Sequence, residues 1–428
     1  MSNSTLNAPL RDGGAQHHSV IIVGGGQAGL SMSYYLQQYG IDHLLIEKHA
    51  VTHTWRSQRW DAFCLVTPNW QCALPGHPYS GTEPHGFMKR DEIIAYLDAF
   101  IAKVQAPVLE HTEVKRVGQR DKGGYLVSTS RGDFTADQVV IASGGYHAPI
   151  VPRMAERLPN DVLQVHSADY RNPQSLPEGG VLVVGSGQSG AQIAEDLHLA
   201  GRKVTLAVGE APRCARFYRG RDVVDWLADM GYYDMPVEEH PLREGVRDNT
   251  NHYVTGRDGG RDIDLRKFAL EGMELYGVLQ DYQDGQLSFA PDLQSNLDSA
   301  DATYNRINES IDRYIAKAGI EAPAAAAYQP VWQPPAERTT LDLSQSGIRT
   351  ILWCIGFRPD FSWLDIPVFN GRGYPGHVRG VTKIDGLYFL GLPWLHTWGS
   401  GRFSGIARDA EHLATQICTS AKADALAA

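Results

Sequence analysis

The chain has 428 residues, of which 43% are hydrophobic and 21% charged, an ordinary composition for a globular protein long enough for two or three domains. Its net charge of −10 argues against a nucleic acid partner, because phosphate backbones are bound by concentrated basic faces. No apolar run approaches the ~18 residues of a membrane span, and residues 1–19 carry no signal-peptide core. We therefore expect a disordered tail over 1–19, no membrane partner and a cytoplasmic location.

The five cysteines are odd in number and form no C-x-x-C pair. Such a pattern is typical of free thiols in a reducing compartment. No cluster of metal-ligating residues stands out either, so no metal is expected. The cysteines are Cys64, Cys72, Cys214, Cys354 and Cys418.

The first motif is VIIVGGGQAG, residues 20–29. A short apolar strand leads into Gly24, Gly26 and Gly29, which have the G-x-G-x-x-G spacing. The first glycine permits a tight turn, the second lets the backbone approach a pyrophosphate, and the third lets the next helix pack on the strand. Gln27 and Ala28 open that helix, whose N-terminus favours an anion. The motif predicts a dinucleotide site.

A helix over 30–39 and a strand over 43–46 follow, and the strand ends in Glu47. This carboxylate stands where a ribose-binding acid belongs in a βαβ dinucleotide unit, and Lys48 lies beside it. The TWR segment just beyond the strand supplies further candidates for cofactor binding. They are Thr54, Trp55 and Arg56; the arginine can neutralise a pyrophosphate, or it can form a surface ion pair.

An amphipathic helix is predicted over 86–103, and a change to period two then predicts a small antiparallel sheet over 112–117, 125–130 and the residues around 134. The next buried strand ends in an ASGG turn that is similar to the turn closing the first domain of flavoproteins with two dinucleotide domains. Its cofactor-binding candidates are Ala142, Ser143 and Gly144.

A second fingerprint, VLVVGSGQSG at 181–190, repeats the first. Two βαβ units imply two nucleotides, with hydride passing between them. The candidate residues here are Gly185, Ser186, Gly187, Gln188, Ser189 and Gly190. Arg213 and Arg216 follow the next strand, and arginines at that place favour the 2′-phosphate of NADPH over NADH, although Glu210 is a contrary sign.

The fold class predicted is α/β, with two Rossmann-like domains and a small antiparallel insertion. The predicted division is a tail over 1–19, a first dinucleotide-binding domain over 20–155, a second one with a helical insertion over 156–335, and the rest of the first domain over 336–428. Segment 222–335 is the least readable, with one helix predicted over 302–317. In the last part the candidates are Ile355, Gly356, Gly391 and Leu392.

Taken in order, these motifs resemble the class B flavoprotein monooxygenases, the group of flavin-containing, YUCCA-like and Baeyer–Villiger monooxygenases, and most of all their bacterial flavin-dependent oxidoreductases. The resemblance covers about 19–417 and rests on VGGGQAG, TWR-x4-WD, L-x-TPNW-x4-LPG, IASGGY, VVGSGQSG, WCIGFRPDFSWL and GLYFLGLPWLHTWGS. It implies FAD on the first domain and NADPH on the second. It also implies a flavin-contacting asparagine, for which Asn69, after Thr67, is the catalytic candidate.

Two departures from the family pattern stand out. In the fingerprint F-x-G-x-x-x-H-x-x-x-W/F/Y, His166 and Tyr170 are present, but Asn160 and Val162 replace the Phe and Gly. His166 is interpreted as a linker residue that orients the domains. Near relatives often carry Arg after the HT pair of the last turn, where this chain has Trp398 and an arginine at 402 instead, a change expected to alter the substrate pocket.

The function expected is a single-component monooxygenase that uses NADPH, O₂ and a flavin (hydro)peroxide to oxygenate a small organic substrate; a homodimer is one possible assembly. An NAD(P)H oxidase or dehydrogenase without oxygen insertion is the first alternative. A pyridine-nucleotide disulfide reductase needs a cysteine pair beside the flavin, for which only Cys64 and Cys72 come near in sequence. A non-catalytic FAD-binding redox sensor is the last alternative. The aromatic residues Trp70, Trp394 and Trp398 are candidates for the pocket lining.

Overall fold

A computed structural model describes residues 15–427, with side chains placed through residue 420. Its two main sheets, of ten and five strands, form two units that the chain enters in the order first, second, first. This confirms the predicted α/β class with two Rossmann-like units. Within the described part of the chain, no helix has both the length and the apolar composition needed to cross a bilayer.

The first sheet carries the first glycine motif. Gln16–Val23 pairs in parallel with His43–Ile46 on one side and with Gly132–Ile141 on the other. The predicted antiparallel insertion extends this sheet, because Val114–Gln119, Tyr125–Thr129 and Gly132–Ile141 pair in a meander. The remaining strands are Val108–Leu109, Leu364–Asp365, His377–Val378, Val381–Thr382 and Leu387–Phe389.

The opening strand begins at Gln16, so the prediction of a disordered tail is wrong for residues 16–19. His17 and His18 pair with Thr135 and Ala136 of the neighbouring strand, and His18 Nδ1 lies 3.1 Å from Asp42 Oδ2. Because residues 16–19 are mostly polar, the sequence did not indicate a strand there. Side-chain partners on neighbouring elements hold this end of the strand. Residues 1–14 of the predicted tail lie outside the described residues.

The second sheet is parallel throughout. Its strands lie in the order Leu163–His166, Ile348–Trp353, Gly180–Val184, Val204–Ala207 and Glu274–Tyr276. The predicted domain boundary at residue 336 is therefore wrong. The strand Ile348–Trp353 belongs to the second unit because its apolar run is buried between two parallel neighbours, and the chain returns to the first unit after Gly356.

The two connections between the units lie side by side. Ala148–Pro149 on the outward path pairs with Phe357–Arg358 on the return path. His166 Nε2 lies 3.1 Å from the carbonyl oxygen of Gly356, and its ring meets the ring of Phe357 edge-on at 4.8 Å. His166 is thus at the linker, as predicted.

The α-helices are Gln27–Gln38, His53–Ser57, Arg90–Val104, Gln188–Leu199, Val223–Asp229, Leu265–Leu270, Leu293–Ala318, Leu343–Ser346 and Ile406–Ala427. The long helix Leu293–Ala318 begins nine residues before its predicted start. Short ribbons complete the fold, of which the largest is the antiparallel sheet Leu279–Gln283, Gln286–Phe289 and Thr340–Asp342. The other two-stranded ribbons are Ala73–Leu74 with His77–Pro78, and Phe217–Tyr218 with Arg221–Asp222.

Candidate active site

The three glycines of the first turn differ in what surrounds them. Gly24 has φ +110°, and a Cβ on it would lie 2.7 Å from the oxygen of Ala142. A Cβ on Gly29 would lie 1.9 Å from the oxygen of Gly24, so only glycine lets the helix pack on the strand. Gly26 has φ −78°, and nothing lies within 4 Å of the position its Cβ would take. The open side of the turn is therefore at Gly26.

The second turn has the same backbone conformation as the first, but another segment of the chain packs against it. Gly185 has φ +100°, and a Cβ on Gly190 would lie 1.8 Å from the oxygen of Gly185. Here, however, the Cβ position of Gly187 is 3.3 Å from Cγ2 of Thr250. The Gln188 amide donates to the oxygen of Val254 at 2.8 Å, so the segment 250–254 lies over this turn.

A cavity of about 850 Å³ opens at the first turn. It extends along the ends of the first-sheet strands to the second unit. Many of the residues predicted from the sequence share its wall: Gly24, Gly26, Gln27, Ala28, Glu47, Lys48, Thr54, Trp55, Thr67, Ala142, Ser143, Gly144, Gln188 and Gly391.

Hydrogen bonds join three parts of this wall. Trp55 Nε1 donates to Gln27 Oε1 at 3.2 Å, and Gln27 Nε2 donates to the oxygen of Gly401 at 3.3 Å. The start of the first helix, the TWR segment and the closing turn of the chain are thereby held together. This linkage gives the cavity a defined shape beside the glycine turn.

The polar groups around the first turn fit a dinucleotide. The Glu47 carboxylate accepts from the N–H groups of Gly25 at 2.6 Å and His49 at 2.8 Å, which fixes it at the end of its strand. Ser143 Oγ is buried and has no hydrogen-bond partner among the described residues. With the open face of Gly26 and the helix N-terminus, these groups form a site suited to the pyrophosphate and ribose of a dinucleotide.

Two arginines that were not predicted as site residues line the same cavity. Arg59 stacks on Trp55, with 4.9 Å between the guanidinium carbon and the ring centroid, and Arg402 stacks on Trp398 at 3.9 Å. Burial lowers the pKa of Arg59 to about 10 and also lowers the pKa of Arg402. The arginine at 402 had a sequence signal, the departure from the family turn, whereas Arg59 had none apart from its place in the TWR-x4-WD motif.

Residues of the poorly readable segment form the far end of the cavity. Tyr232, Tyr233, Asn251 and His252 line it there. Burial and the nearby Arg306 lower the pKa of His252 to about 4, so this imidazole is neutral at ordinary pH. No sequence signal predicted these residues, because their segment has no hydrophobic period.

The structure does not support Arg213 and Arg216 as ligands of a 2′-phosphate. Both are buried, at 2% and 1% exposure. Arg213 Nε lies 2.9 Å from Asp301 Oδ1, and Arg216 Nη2 lies 2.5 Å from Asp222 Oδ1. Neither lines the cavity, because the carboxylates that neutralise them also hold them inside the second unit. Sequence spacing does not indicate those acidic partners, so the prediction could not take them into account.

Arg56 and Asn69 are likewise engaged elsewhere. Arg56 forms an ion pair with Asp98 on the neighbouring helix, in agreement with the alternative interpretation of that residue. Asn69 is buried, donates from its amide to the Glu83 oxygen at 2.9 Å and accepts from the Met88 N–H at 2.7 Å. Both ends of its amide hold backbone, and Asn69 does not line the cavity, so the structure gives no support to the predicted contact with a flavin edge.

The remaining predicted residues lie near the two turns without lining the cavity. They are Gly29, Gly185, Ser186, Gly187, Ser189, Gly190, Ile355, Gly356 and Leu392. Of the three tryptophans, only Trp398 lines the cavity; Trp394 packs with Val237 and Val246, and Trp70 donates to Asp225.

All five cysteines are free. Burial raises the pKa of Cys64 to about 11 and the pKa of both Cys72 and Cys214 to about 12. Of these three, only Cys214 lines the cavity. Among the described residues, the cavity wall therefore holds no pair of cysteines, which a disulfide reductase needs beside its flavin.

Comparison with known proteins agrees with this geometry. The family model of the pyridine nucleotide-disulphide oxidoreductases matches residues 21–227. A protein of Geobacillus kaustophilus described as an uncharacterized CzcO-like oxidoreductase is 33% identical over 404 residues, which are 93% of this chain and 97% of that protein. The indole-3-pyruvate monooxygenase YUCCA4 of Oryza sativa subsp. japonica is 28% identical over 196 residues, covering 41% of this chain and 44% of that protein.

A solved structure has the same fold. The flavin-containing monooxygenase of Stenotrophomonas maltophilia superposes with a TM-score of 0.66 at 19% identity, covering 95% of this chain and 99% of that one. The predicted resemblance to flavin monooxygenases is confirmed as a similarity, and the relative from Geobacillus kaustophilus shows the family: this chain is an enzyme of the CzcO-like oxidoreductases.

Proposed function

We propose that this oxidoreductase is a monooxygenase that uses FAD and NADPH to transfer one oxygen atom of O₂ to a small organic substrate. One observation carries the proposal. A single cavity is lined by the first glycine turn, by Gln188 of the second turn and by residues of the segment 214–254. A flavin, a nicotinamide and a substrate can therefore meet in one space, as such a reaction requires.

Residues of the first unit would hold the FAD. Gly26 and Gln27 offer backbone N–H groups to the pyrophosphate, Glu47 offers its carboxylate to the ribose, and Ser143 offers an unpaired hydroxyl. When bound, FAD would supply the two-electron redox centre between the nicotinamide coenzyme and O₂. Trp55, joined to Gln27, and the closing turn at Gly401 would exclude water from that end of the cavity.

The choice of NADPH rests on the family resemblance, since Arg213 and Arg216 are neutralised inside the second unit. Glu210 is exposed directly after the second-unit strand Val204–Ala207, where a carboxylate can accept from the 2′-hydroxyl of NADH. NADH is therefore the alternative donor. The ratio of kcat/KM for the two coenzymes decides between them.

The test of oxygen insertion uses three probes of different chemistry under ¹⁸O₂: thioanisole, phenylacetone and phenylpyruvate. Phenylpyruvate is a 2-oxo acid, as is the indole-3-pyruvate after which the YUCCA4 relative is named. A monooxygenase places one ¹⁸O in the product of at least one probe, with one NADPH consumed per product. If all the O₂ consumed is recovered as hydrogen peroxide, the enzyme is an oxidase, the alternative that the sequence left open.

A cytoplasmic location remains part of this proposal and rests on the odd, unpaired cysteines. The thiol chemistry is also what separates the proposal from a disulfide reductase, the activity in the description of the matching family model. Cys64 and Cys72 are both buried away from the cavity, and neither is bonded to another cysteine.

A further inference from the structure

We propose that Arg59 and Arg402 bind the carboxylate of an acidic substrate, and that the lobe of the cavity beside Arg402 binds its apolar or aromatic body. This inference rests on the proposed function, since it concerns the substrate of the same cavity. The inference narrows the proposed substrate from any small organic molecule to an organic acid. The steps that lead to it are the neutral surroundings of the two arginines, their common position and the character of the lobe.

The two guanidinium groups have only neutral partners among the described residues. Arg59 Nη1 donates to the carbonyl oxygen of Gln58 at 2.9 Å. Arg402 donates to the carbonyl oxygen of Trp398 and, at 2.8 Å, to the side-chain oxygen of Asn251. Both cations face the cavity without a counter-charge, in contrast to Arg213 and Arg216. Burying a cation without an anion is costly, so a ligand that brings the anion is favoured.

The arginines lie at one end of the cavity. Arg59 stacks on Trp55, whose ring in turn stacks on Phe403 at 5.2 Å, and Phe403 is the next residue after Arg402. The acids that line the cavity have other partners: Glu47 accepts from backbone N–H groups, Glu113 pairs with Lys48 at 2.7 Å, and Asp360 accepts from the Ser362 N–H at 3.0 Å. Among the described residues, none of these carboxylates pairs with either arginine.

The lobe next to Arg402 is built for an organic body. Tyr233 packs at 4.5 Å on Trp398, the ring on which Arg402 stacks. Apolar side chains complete the lobe: Val223, Val224, Leu227 and Ile307. An aromatic and aliphatic wall with two planar guanidinium groups at its edge matches a carboxylic acid, which accepts bidentate hydrogen bonds.

A phosphate of FAD or NADPH is the other anion that the arginines could serve. The experiment separates the sources by measuring binding to FAD-loaded enzyme by calorimetry, with no turnover. The probes are 3-phenylpropionate and its neutral amide, 3-phenylpropanamide, which have nearly the same shape. The variants are Arg402→Gln and Arg59→Gln. The matched control is Arg372→Gln, which removes an exposed positive charge outside the cavity.

The wild type is expected to bind the acid at least about tenfold more tightly than the amide, as for hydrogen bonds to a charged group. Each cavity variant should weaken acid binding by about tenfold and leave amide binding within about twofold, while Arg372→Gln changes neither. Arg402→Lys, which keeps the charge, should recover part of the preference, so a folding defect in one glutamine variant does not remove the test.

Equal binding of acid and amide by the wild type, or an acid preference that survives in both cavity variants, overturns the inference. So does a rise in the KM for NADPH, or a loss of FAD, with acid binding unchanged, because the arginines would then serve a coenzyme phosphate. Failure of oxygen insertion with the acid preference intact counts against the proposed function and leaves this inference standing.

Discussion

Arg213 Nε lies 2.9 Å from Oδ1 of Asp301, and its guanidinium carbon lies 4.0 Å from the ring centroid of Tyr328. Asp264 is a second acidic neighbour, at 3.7 Å. The arginine is thus paired and stacked inside the second unit, between the strand edge and the long helix Leu293–Ala318. Arg213 therefore holds the segment after residue 209 in place.

We predict that Arg213→Gln lowers the free energy of unfolding by about 1.5–3 kcal/mol, because Asp264 and Oδ1 of Asp301 lose a charged partner, whereas Arg266 still pairs with Asp301 at 2.7 Å. The ratio of kcat/KM for NADPH to that for NADH should change by less than about twofold. Urea unfolding and coenzyme kinetics on the folded fraction measure the two effects. Arg349 is an exposed arginine of the same unit, and Arg349→Gln is the control. It should change neither the free energy of unfolding nor the ratio of kcat/KM for the two coenzymes. A tenfold fall in NADPH preference for Arg213→Gln would restore the role that sequence spacing suggested.

Gly26→Ala should leave the apoprotein stable and lower its FAD content. The backbone at Gly26 has φ −78°, which alanine adopts without strain, and the added methyl meets no protein atom within 4 Å. The methyl occupies space that a pyrophosphate needs, so FAD affinity should fall by at least about tenfold, a cost of roughly 1.4 kcal/mol.

FAD per chain after gel filtration and the midpoint of thermal unfolding without flavin are the measurements. Gly29→Ala is the opposite case: its methyl would lie 1.9 Å from the Gly24 oxygen, and the unfolding midpoint itself should drop. Full FAD occupancy in Gly26→Ala would show that the pyrophosphate does not approach this turn.

The glycine motifs predicted the fold and one side of the site because their spacing reports local backbone geometry directly. Gly24 and Gly29 take the predicted roles through contacts within a few residues of the turn or with the adjacent strand. Arg216 shows where this reasoning stops: its Nη1 donates to the oxygen of Val66 at 2.6 Å, 150 positions away. Nothing local in the sequence indicates such a partner.

The far end of the cavity could not be predicted for a related reason. Tyr232, Tyr233 and Asn251 lie in a segment of short helices and turns, where neither period 3.6 nor period 2 shows which side chains point inward. Arg402 was visible only as a departure from a family pattern. The structure was needed to show that Arg402 and Arg59 line one cavity.

Asn69→Ala is predicted to act on stability alone. The side chain holds the Met88 N–H and the Glu83 oxygen. Its removal leaves the buried Met88 N–H unpaired at a cost of about 1–3 kcal/mol, whereas the Glu83 oxygen still accepts from the Gly86 N–H at 3.0 Å. The rate of flavin reduction by NADPH, scored per FAD-loaded molecule, should stay within about twofold. Asn69→Asp keeps the acceptor for Met88 and should lose less stability. A hundredfold loss of rate at unchanged stability would return Asn69 to the catalytic role that the family resemblance implies.

The last prediction concerns the thiols, since they separate oxygen chemistry from disulfide chemistry. The double variant Cys64→Ala/Cys72→Ala and the single variant Cys214→Ala should each reduce their flavin within about threefold of the wild-type rate, a barrier change of roughly 0.7 kcal/mol. The physical reason is that burial raises the pKa of Cys64 to about 11 and that of Cys72 and Cys214 to about 12, so thiolate is scarce at neutral pH.

Stopped-flow absorbance of the flavin under NADPH measures the first half of the reaction, and O₂ consumption measures the second. Because Cys64 and Cys72 are buried, their truncation can lower stability, and rates are therefore scored per FAD-loaded molecule. Cys418→Ala, on the terminal helix and away from the cavity, is the matched control. A variant whose flavin is reduced normally but which no longer consumes O₂ or forms product would indicate that electrons leave through a thiol. The disulfide reductase alternative would then replace the monooxygenase.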